Sequence, residues 1–283
     1  MKTIIEQPFV FSQMGQRDGQ EDSFAPQQMS EQSFWFAVCD GVGGLEDGEK
    51  ASQTAVQAIG EFMEHTSCDL PFAIGDAQQM LAHIYRRITD ANIGEASTTL
   101  AFMCINALGI TCVHVGDSRV YQFRPGTGEI FRTKDHSLMA EYIDAGMVNE
   151  EEANSSPQRN IITRSIQSLD AGNPSEATVT TLRDLQPGDV MMLCSDGVYE
   201  VFNKEYLAAL LSDESKTLEQ LCAELAASCE NSADNNTAIL VRITDVNGES
   251  DEKRPQTAET HIHAKNQPSL WDKIQSVFTT HYK

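Results

Sequence analysis

Basic side chains are scarce in this sequence: 20 Lys and Arg stand against 42 Asp and Glu, a formal charge of −22 over 283 residues. That imbalance argues against non-specific nucleic-acid binding and against docking on an anionic membrane surface, since both need a basic patch. Long apolar runs are also missing. None reaches the roughly 18 residues of a spanning helix. The start, Met1-Lys2-Thr3-Ile4-Ile5-Glu6-Gln7-Pro8, lacks the apolar core of a signal peptide. Cysteines number 7, an odd count, with no Cys-x-x-Cys pair, which argues against a zinc site. Cys39, Cys104, Cys112 and Cys194 lie inside apolar runs and read as small reduced core residues. A reducing compartment follows, and a cytoplasmic protein is the expectation. No repeat of about 20 to 50 residues is apparent. The hydrophobic fraction of 40% and charged fraction of 22% are those of an ordinary globular chain.

The most informative stretch that is present is Ser33-Phe34-Trp35-Phe36-Ala37-Val38-Cys39-Asp40-Gly41-Val42-Gly43-Gly44. An aromatic and β-favouring run ends in a carboxylate and a glycine cluster. This reads as a buried strand that delivers Asp40 to its end. A single Asp-Gly pair is more often a hairpin turn. Here the design recurs: Val190-Met191-Met192-Leu193-Cys194-Ser195-Asp196-Gly197 is again an apolar run capped by Asp-Gly. Two distant core strands that each end this way suggest two carboxylates brought to one place.

Along the chain, Phe9 to Ser12 reads as a strand, and Lys50 to Met63 and Asp76 to Ile93 as amphipathic helices. Ser97 to Asn106 and Ile110 to Val115 form a hairpin around Leu108-Gly109, and Val120 to Phe123 another strand. Such close succession favours antiparallel pairing. Ser137 to Ala145 is a short helix, and Met147 to Arg159 an acidic, aperiodic surface segment expected to be mobile. Strands follow at Ala177 to Leu182 and Val190 to Ser195, helices at Asn203 to Leu211 and Leu218 to Cys229, and a final strand at Thr237 to Ile243. The expected organisation is a globular unit over 1–245, a disordered linker over 246–268, and a short amphipathic helix over 269–283 carrying Leu270, Trp271, Ile274, Val277 and Phe278.

Asp22, Asp40, Asp117, Asp196 and Asp234 all stand at strand ends or tight turns. Several carboxylates in one pocket cannot all stay ionised unless cations neutralise them. An all-oxygen, carboxylate-rich site suits Mg²⁺ or Mn²⁺. Two such ions activate a water and assist in-line attack on phosphorus, and an Arg grips phosphate oxygens bidentately. Residue type supports this chemistry; spacing alone does not show that the five acids converge.

The ordered series of motifs is more specific. It comprises Arg17 with Gln20-Glu21-Asp22, Asp40-Gly41-Val42-Gly43-Gly44, Ser97-Thr98-Thr99, Gly116-Asp117-Ser118-Arg119-Val120-Tyr121 and Thr133-Lys134-Asp135-His136-Ser137. It continues with Asn160-Ile161-Ile162-Thr163-Arg164-Ser165-Ile166, Cys194-Ser195-Asp196-Gly197 and Asp234-Asn235-Asn236-Thr237. From about Phe9 to Ile243 the chain resembles the metal-dependent protein phosphatases (the PPM family, type-2C protein phosphatases) in their compact bacterial form. The resemblance implies an α+β fold, a four-layer α-β-β-α sandwich with two central antiparallel sheets. It implies Mn²⁺ or Mg²⁺ as cofactor, two core ions and a third, weaker one. Asp40 would bridge the metals, with the Gly41 carbonyl also a ligand; Asp196 and Asp234 complete the first ion, and Glu21 and Asp22 hold the second. Asp117 would help hold the third, and Arg17 would bind the substrate phosphate. The implied reaction is hydrolysis of phosphoserine and phosphothreonine in proteins, a metal-bridging hydroxide attacking phosphorus directly, with a cognate Ser/Thr kinase as the opposing enzyme. The protein is expected to act as a monomer.

Three positions depart from the family pattern. Val42 stands where many members carry a His able to protonate the leaving group; Gln20 replaces an Asn, and Gln167 a Gly. His136 reads as a structural residue at a helix start, His65, His83 and His114 as surface or core residues, and His261 and His263 as part of a solvated tail. Cys39 and Cys194 read as packing residues. Two other readings compete: a non-catalytic binding protein on the same fold, against which the intact Asp40, Asp196 and Asp234 argue, and a two-metal hydrolase of nucleotides or nucleic acid, against which the charge argues.

Overall fold

Strand-forming runs dominate the chain, and the computed structural model, which describes residues 2–42, 46–247 and 257–264, sorts them into two sheets. Strands β1 (Lys2–Ile5), β2 (Phe9–Gln13), β3 (Asp22–Ala25) and β4 (Trp35–Val42) lead into helices α1 (Glu46–Met63) and α2 (Ile74–Ala91). Then come β5 (Ser97–Thr98), β6 (Leu100–Asn106), β7 (Gly109–Val115), β8 (Arg119–Arg124) and β9 (Gly128–Arg132). Helices α3 (Leu138–Asp144) and α4 (Glu150–Ser155) precede β10 (Ile166–Gln167), β11 (Ala177–Leu182) and β12 (Val190–Cys194). Helices α5 (Asp196–Tyr199), α6 (Lys204–Leu211) and α7 (Leu218–Cys229) are followed by β13 (Asn236–Asn247) and β14 (Thr257–Ile262).

One sheet runs β1-β13-β12-β8-β9, with β2 also paired to β13; the other runs β10-β5-β4-β6-β7-β11-β14, with β3 also paired to β4. Every pairing is antiparallel. Three apolar layers separate four structural ones. α1 and α2 pack Ala51, Ile59, Leu81 and Ile84 against Ala37, Cys39, Phe102 and Val113 of the second sheet. α6 and α7 pack Leu207, Leu221 and Leu225 against Met192, Cys194 and Leu240 of the first. Phe36, Val38, Met103, Met191, Leu193 and Ile239 fill the space between the sheets. The architecture is the expected four-layer α-β-β-α sandwich. Each fully buried large side chain in these layers contributes roughly 1.5–3 kcal/mol relative to exposure.

Alternation along the strands decides where the acids go. In β4, Ala37 and Cys39 face the helices while Phe36 and Val38 face the other sheet, so the next even residue, Asp40, emerges at the end of the inter-sheet layer. In β12, Met192 and Cys194 face the helices and Met191 and Leu193 face inward, so Ser195 follows on the inner side. In β13, Ile239 and Val241 face inward, which puts Thr237 there too. Both sheets therefore send polar residues to one end of a shared interior.

Two expectations change. The segment Met147 to Arg159, expected to be mobile, contains helix α4 with a reciprocal cap: Glu152 N donates to Asn149 Oδ1 at 2.9 Å and Asn149 N to Glu152 Oε2 at 2.9 Å. The Asn-x-x-Glu spacing is a capping-box signature, and it outweighs the missing apolar period over so short a helix. The stretch 246–268, expected to be a disordered linker, holds the end of β13 and all of β14, which pairs with β11 from Ala177↔Ile262 to Leu182↔Thr257. An edge strand needs few apolar residues, and β14 buries only Ile262, so composition did not reveal it. The helix expected over 269–283 lies outside the described residues, as do Gly43 and Gly44 of the first Asp-Gly motif.

Candidate active site

On the second sheet Asp22 and Asp40 sit directly opposite each other across β3 and β4. The backbone around Asp40 is fully engaged. Its N–H donates to Thr99 Oγ1 at 3.0 Å, and its carbonyl accepts from Thr98 Oγ1 at 2.9 Å and from Thr99 N at 2.8 Å. Gly41 N donates to the Glu21 carbonyl at 3.1 Å, tying the strand end to the loop before β3. Gly41 is glycine for a reason of space: a Cβ there would lie 2.2 Å from the Gly48 carbonyl oxygen in the first turns of α1.

The first sheet contributes Asp196, the first residue of α5, and Asp234, in the loop before β13. Ser195 joins the two sheets. Its Oγ donates to Asp22 Oδ2 at 2.7 Å and accepts from Thr237 N at 3.0 Å. Asn235 pins the loop that carries Arg17 and Glu21: its Nδ2 donates to the carbonyls of Met14 and Gly19, both at 2.8 Å, and its Oδ1 accepts from Glu21 N at 2.8 Å. Arg17 Nη2 donates to Asp234 Oδ2 at 2.5 Å while the side chain stays 54% exposed, so the guanidinium stands at the rim of the acids and can turn toward an incoming anion.

The carboxylates feel one another. Burial pushes Asp40 well above the usual range, reinforced by Asp22, Asp196, Asp117 and Asp234. Asp196 is raised well above its usual value by burial, then by Asp117 and Asp234. Burial lifts Asp22 to about 7 against the opposing bonds from Ser195 and Thr237. Asp117 is pushed up to about 6 by burial and the nearby Asp135. Burial raises Glu21 despite Arg17. Arg17 itself is held above its usual value: burial pulls it down, but the bond to Asp234 outweighs that. All the acids singled out in the sequence thus meet at one end of the sandwich.

This donor set fits hard divalent cations. Among the described residues, Glu21 Oε1, Asp22 Oδ1 and Asp196 Oδ1 are buried and have no hydrogen-bond partner. A buried carboxylate oxygen without a partner is costly unless something positive meets it. Among the described residues no three His, Cys, Asp or Glu side chains close into a ready-made cage. Mg²⁺ and Mn²⁺ do not need one, because they take few carboxylates and complete their coordination with water and carbonyl oxygens.

Other candidates fall away. Burial pushes the Cys39 and Cys194 thiols far up, so neither is a nucleophile at neutral pH. His136 is pushed down to about 2 by burial and by His114, and both its ring nitrogens are bonded, to Gly116 N at 3.2 Å and Thr178 Oγ1 at 3.0 Å. With both nitrogens so engaged, it has no free proton to offer a leaving group. Beside the acids a cleft of about 570 Å³ is lined by Asp22, Gln20, Gln27, Trp35, Gln53 and Gln57 among others, with no basic residue.

Ser195, Thr237, Asn235 and Thr99 were present in the quoted motifs, but their roles were not foreseen. A signal existed for Ser195 and Asn235, each adjacent to a candidate ligand; none existed for the approach of Gly48 to Gly41.

The matching family model, described as Protein phosphatase 2C, covers residues 14–232. Protein phosphatase PhpP of Streptococcus pneumoniae is 31% identical over 229 residues, which span 75% of this chain and 87% of that protein. The solved serine/threonine phosphatase of S. agalactiae superposes with a TM-score of 0.71 at 28% identity, over 83% of this chain and 98% of that one. The catalytic domain of the serine/threonine phosphatase PstP, solved in complex with two manganese ions, superposes with a TM-score of 0.69 at 24% identity, over 86% of this chain and all of that one; at that identity the likeness speaks for the fold.

Proposed function

The chain belongs to the protein phosphatase 2C family and is a metal-dependent protein serine/threonine phosphatase, and from that premise we propose that Glu21, Asp22, Asp40, Asp196 and Asp234, with the Gly41 carbonyl, hold two Mn²⁺ or Mg²⁺ ions. Asp117 serves a third, more weakly held ion, and Arg17 receives the substrate phosphate. The observation that carries this reading is the set of three buried carboxylate oxygens, on Glu21, Asp22 and Asp196, that no donor among the described residues satisfies.

When bound, the ions supply a water-derived nucleophile at neutral pH and offset charge on the phosphoryl oxygens. The chain's own residues do the rest. Asp22 and Asp40 on one sheet and Asp196 and Asp234 on the other fix the site across the sandwich end. Ser195 holds Asp22 by one oxygen, leaving the other free. Arg17, already paired with Asp234, presents remaining N–H groups to a phosphate at the rim. Substrate phosphorus is attacked directly, without a phospho-enzyme: Cys39 and Cys194 are buried thiols, and His136 is locked in its own bonds. Val42, 39% exposed, has no proton to give, so the leaving alkoxide takes its proton from solvent-derived water. The substrates are phosphoserine and phosphothreonine proteins, and a Ser/Thr kinase is the opposing activity.

The test is release of phosphate from a phosphothreonine peptide. Mn²⁺ or Mg²⁺ supports turnover, EDTA abolishes it, and Asp196→Asn lowers it by orders of magnitude with the circular dichroism spectrum unchanged. Turnover by metal-stripped protein, or wild-type rates from Asp196→Asn, refutes the assignment.

A further inference from the structure

Strand β14 has little apolar reason to dock. Of its six residues only Ile262 is buried. It nevertheless places His261 directly opposite Thr178 of β11, which in turn lies opposite His114 of β7. His136 stacks on His114 with ring centroids 4.5 Å apart and planes 14° from parallel. The three strands thus bring a row of polar side chains up to the Gly116-Asp117 turn.

The hydrogen bonds in this row have a direction. Gly116 N–H can only donate, so His136 Nδ1, 3.2 Å away, accepts. In a neutral ring the proton then sits on Nε2, which donates to Thr178 Oγ1 at 3.0 Å. The Thr178 hydroxyl is left to donate to His261 Nδ1, also at 3.0 Å. His136 N donates to the Gly116 carbonyl at 2.9 Å, so the turn is gripped from both sides. Gly116 has φ +93, and a Cβ there would come within 2.8 Å of Thr99 Cγ2. That same Thr99 receives the Asp40 N–H. The turn has no slack against the end of β4, and its next residue is Asp117.

We propose that β14 is a working part of the acid cluster, with His261 positioning the Gly116-Asp117 turn through Thr178 and His136 and so setting how Asp117 meets a divalent ion. This rests on reading Asp117 as an ion-holding acid. His261 is a positioning residue and touches neither ion nor substrate. Burial pushes His136 down to about 2, which keeps Nδ1 an acceptor and Nε2 a donor at neutral pH.

The experiment uses the full chain with His261→Val, which keeps strand propensity but removes the acceptor, and His261→Asn, whose Oδ1 can stand in for Nδ1. Residue-resolved hydrogen exchange reads the Gly116 amide, and calorimetric titration with Mn²⁺ reads ion binding beside an Asp117→Asn control. In His261→Val the Gly116 amide exchanges about three- to tenfold faster, the worth of one net hydrogen bond, and Mn²⁺ binding weakens in the same sense as in Asp117→Asn. His261→Asn restores both. Wild-type Gly116 protection in His261→Val overturns the proposal. If Asp117→Asn binds Mn²⁺ like wild type, the reading of Asp117 fails, while Gly116 exchange still reports on the relay itself.

Discussion

Ser195→Ala removes a side chain that bonds a carboxylate of one sheet to the backbone of the other. Its Oγ donates to Asp22 Oδ2 at 2.7 Å and accepts from Thr237 N at 3.0 Å, and the residue is fully buried. Removing it leaves a buried carboxylate oxygen short of a donor and a buried N–H without an acceptor. A hydrogen bond to a charged group is worth about 1.5–3 kcal/mol, which for a chain of this size lowers Tm by roughly 3–5 °C. The larger consequence is for the ions. Partners that orient a metal ligand typically cost about 10–100-fold in metal affinity when lost. Asp22, already raised to about 7, loses a bond that favours its ionised form and holds its proton more tightly, which adds to the loss near neutral pH. Calorimetric titration with Mn²⁺ at pH 7.5, beside thermal melts in EDTA and in saturating Mn²⁺, measures both effects. Turnover at saturating Mn²⁺ recovers most of the wild-type rate, because Ser195 orients a ligand and does not react. A Ser195→Ala protein that binds Mn²⁺ as tightly as wild type and melts within about 1 °C of it would refute the view that this hydroxyl holds the two sheets in register at the site.

Three further outcomes follow from the same geometry. The raised Asp22 (3.8 to about 7) and the raised Asp40 and Asp196 mean that the native state holds protons the unfolded chain has released. In EDTA their contribution is therefore full below about pH 4 and is lost as pH rises toward 7 and beyond; Asp40→Asn raises the EDTA melting temperature at pH 8, and a lowered value there contradicts the charge argument. His114 has the opposite sign: its pKa falls from 6.5 to about 4 by burial, so stability is full above pH 6.5 and declines on acidification to pH 4 at about 1.4 kcal/mol per pH unit. Urea titrations of His114→Phe in EDTA show a shallower loss over that window than wild type. Gly41→Ala drives a Cβ to 2.2 Å from the Gly48 carbonyl, costing at least about 1–3 kcal/mol and displacing the strand end that carries Asp40; a melt and turnover equal to wild type would show that α1 can back away freely.

Strand parity was legible in the chain itself. The alternation of β4 and β12 and the two Asp-Gly endings are local patterns, and side chains two apart must share a face. Helix α7 falls where its stripe of Leu218, Leu221, Cys222 and Leu225 places it. Strand β14 was not legible, because an edge strand is held by backbone partners and not by apolar periodicity, and the one sequence signal for the two-turn helix α4 was its Asn149-x-x-Glu152 cap. Within the site, the acids could be named from sequence while their mutual approach could not. Asp22 and Asp234 are more than 200 residues apart, and only the closing of two sheets over one core sets their separation.

Residue identity alone supplied the candidates: carboxylates at strand ends and tight turns, with an Arg in the same ordered series of motifs. The tertiary structure decided which hydroxyls, amides and glycines hold those acids in place. Ser195 and Asn235 reach from one sheet to Asp22 and Glu21 at the head of β3 in the other, contacts that exist only once the sheets have packed, and Gly48 meets Gly41 only once α1 lies against β4.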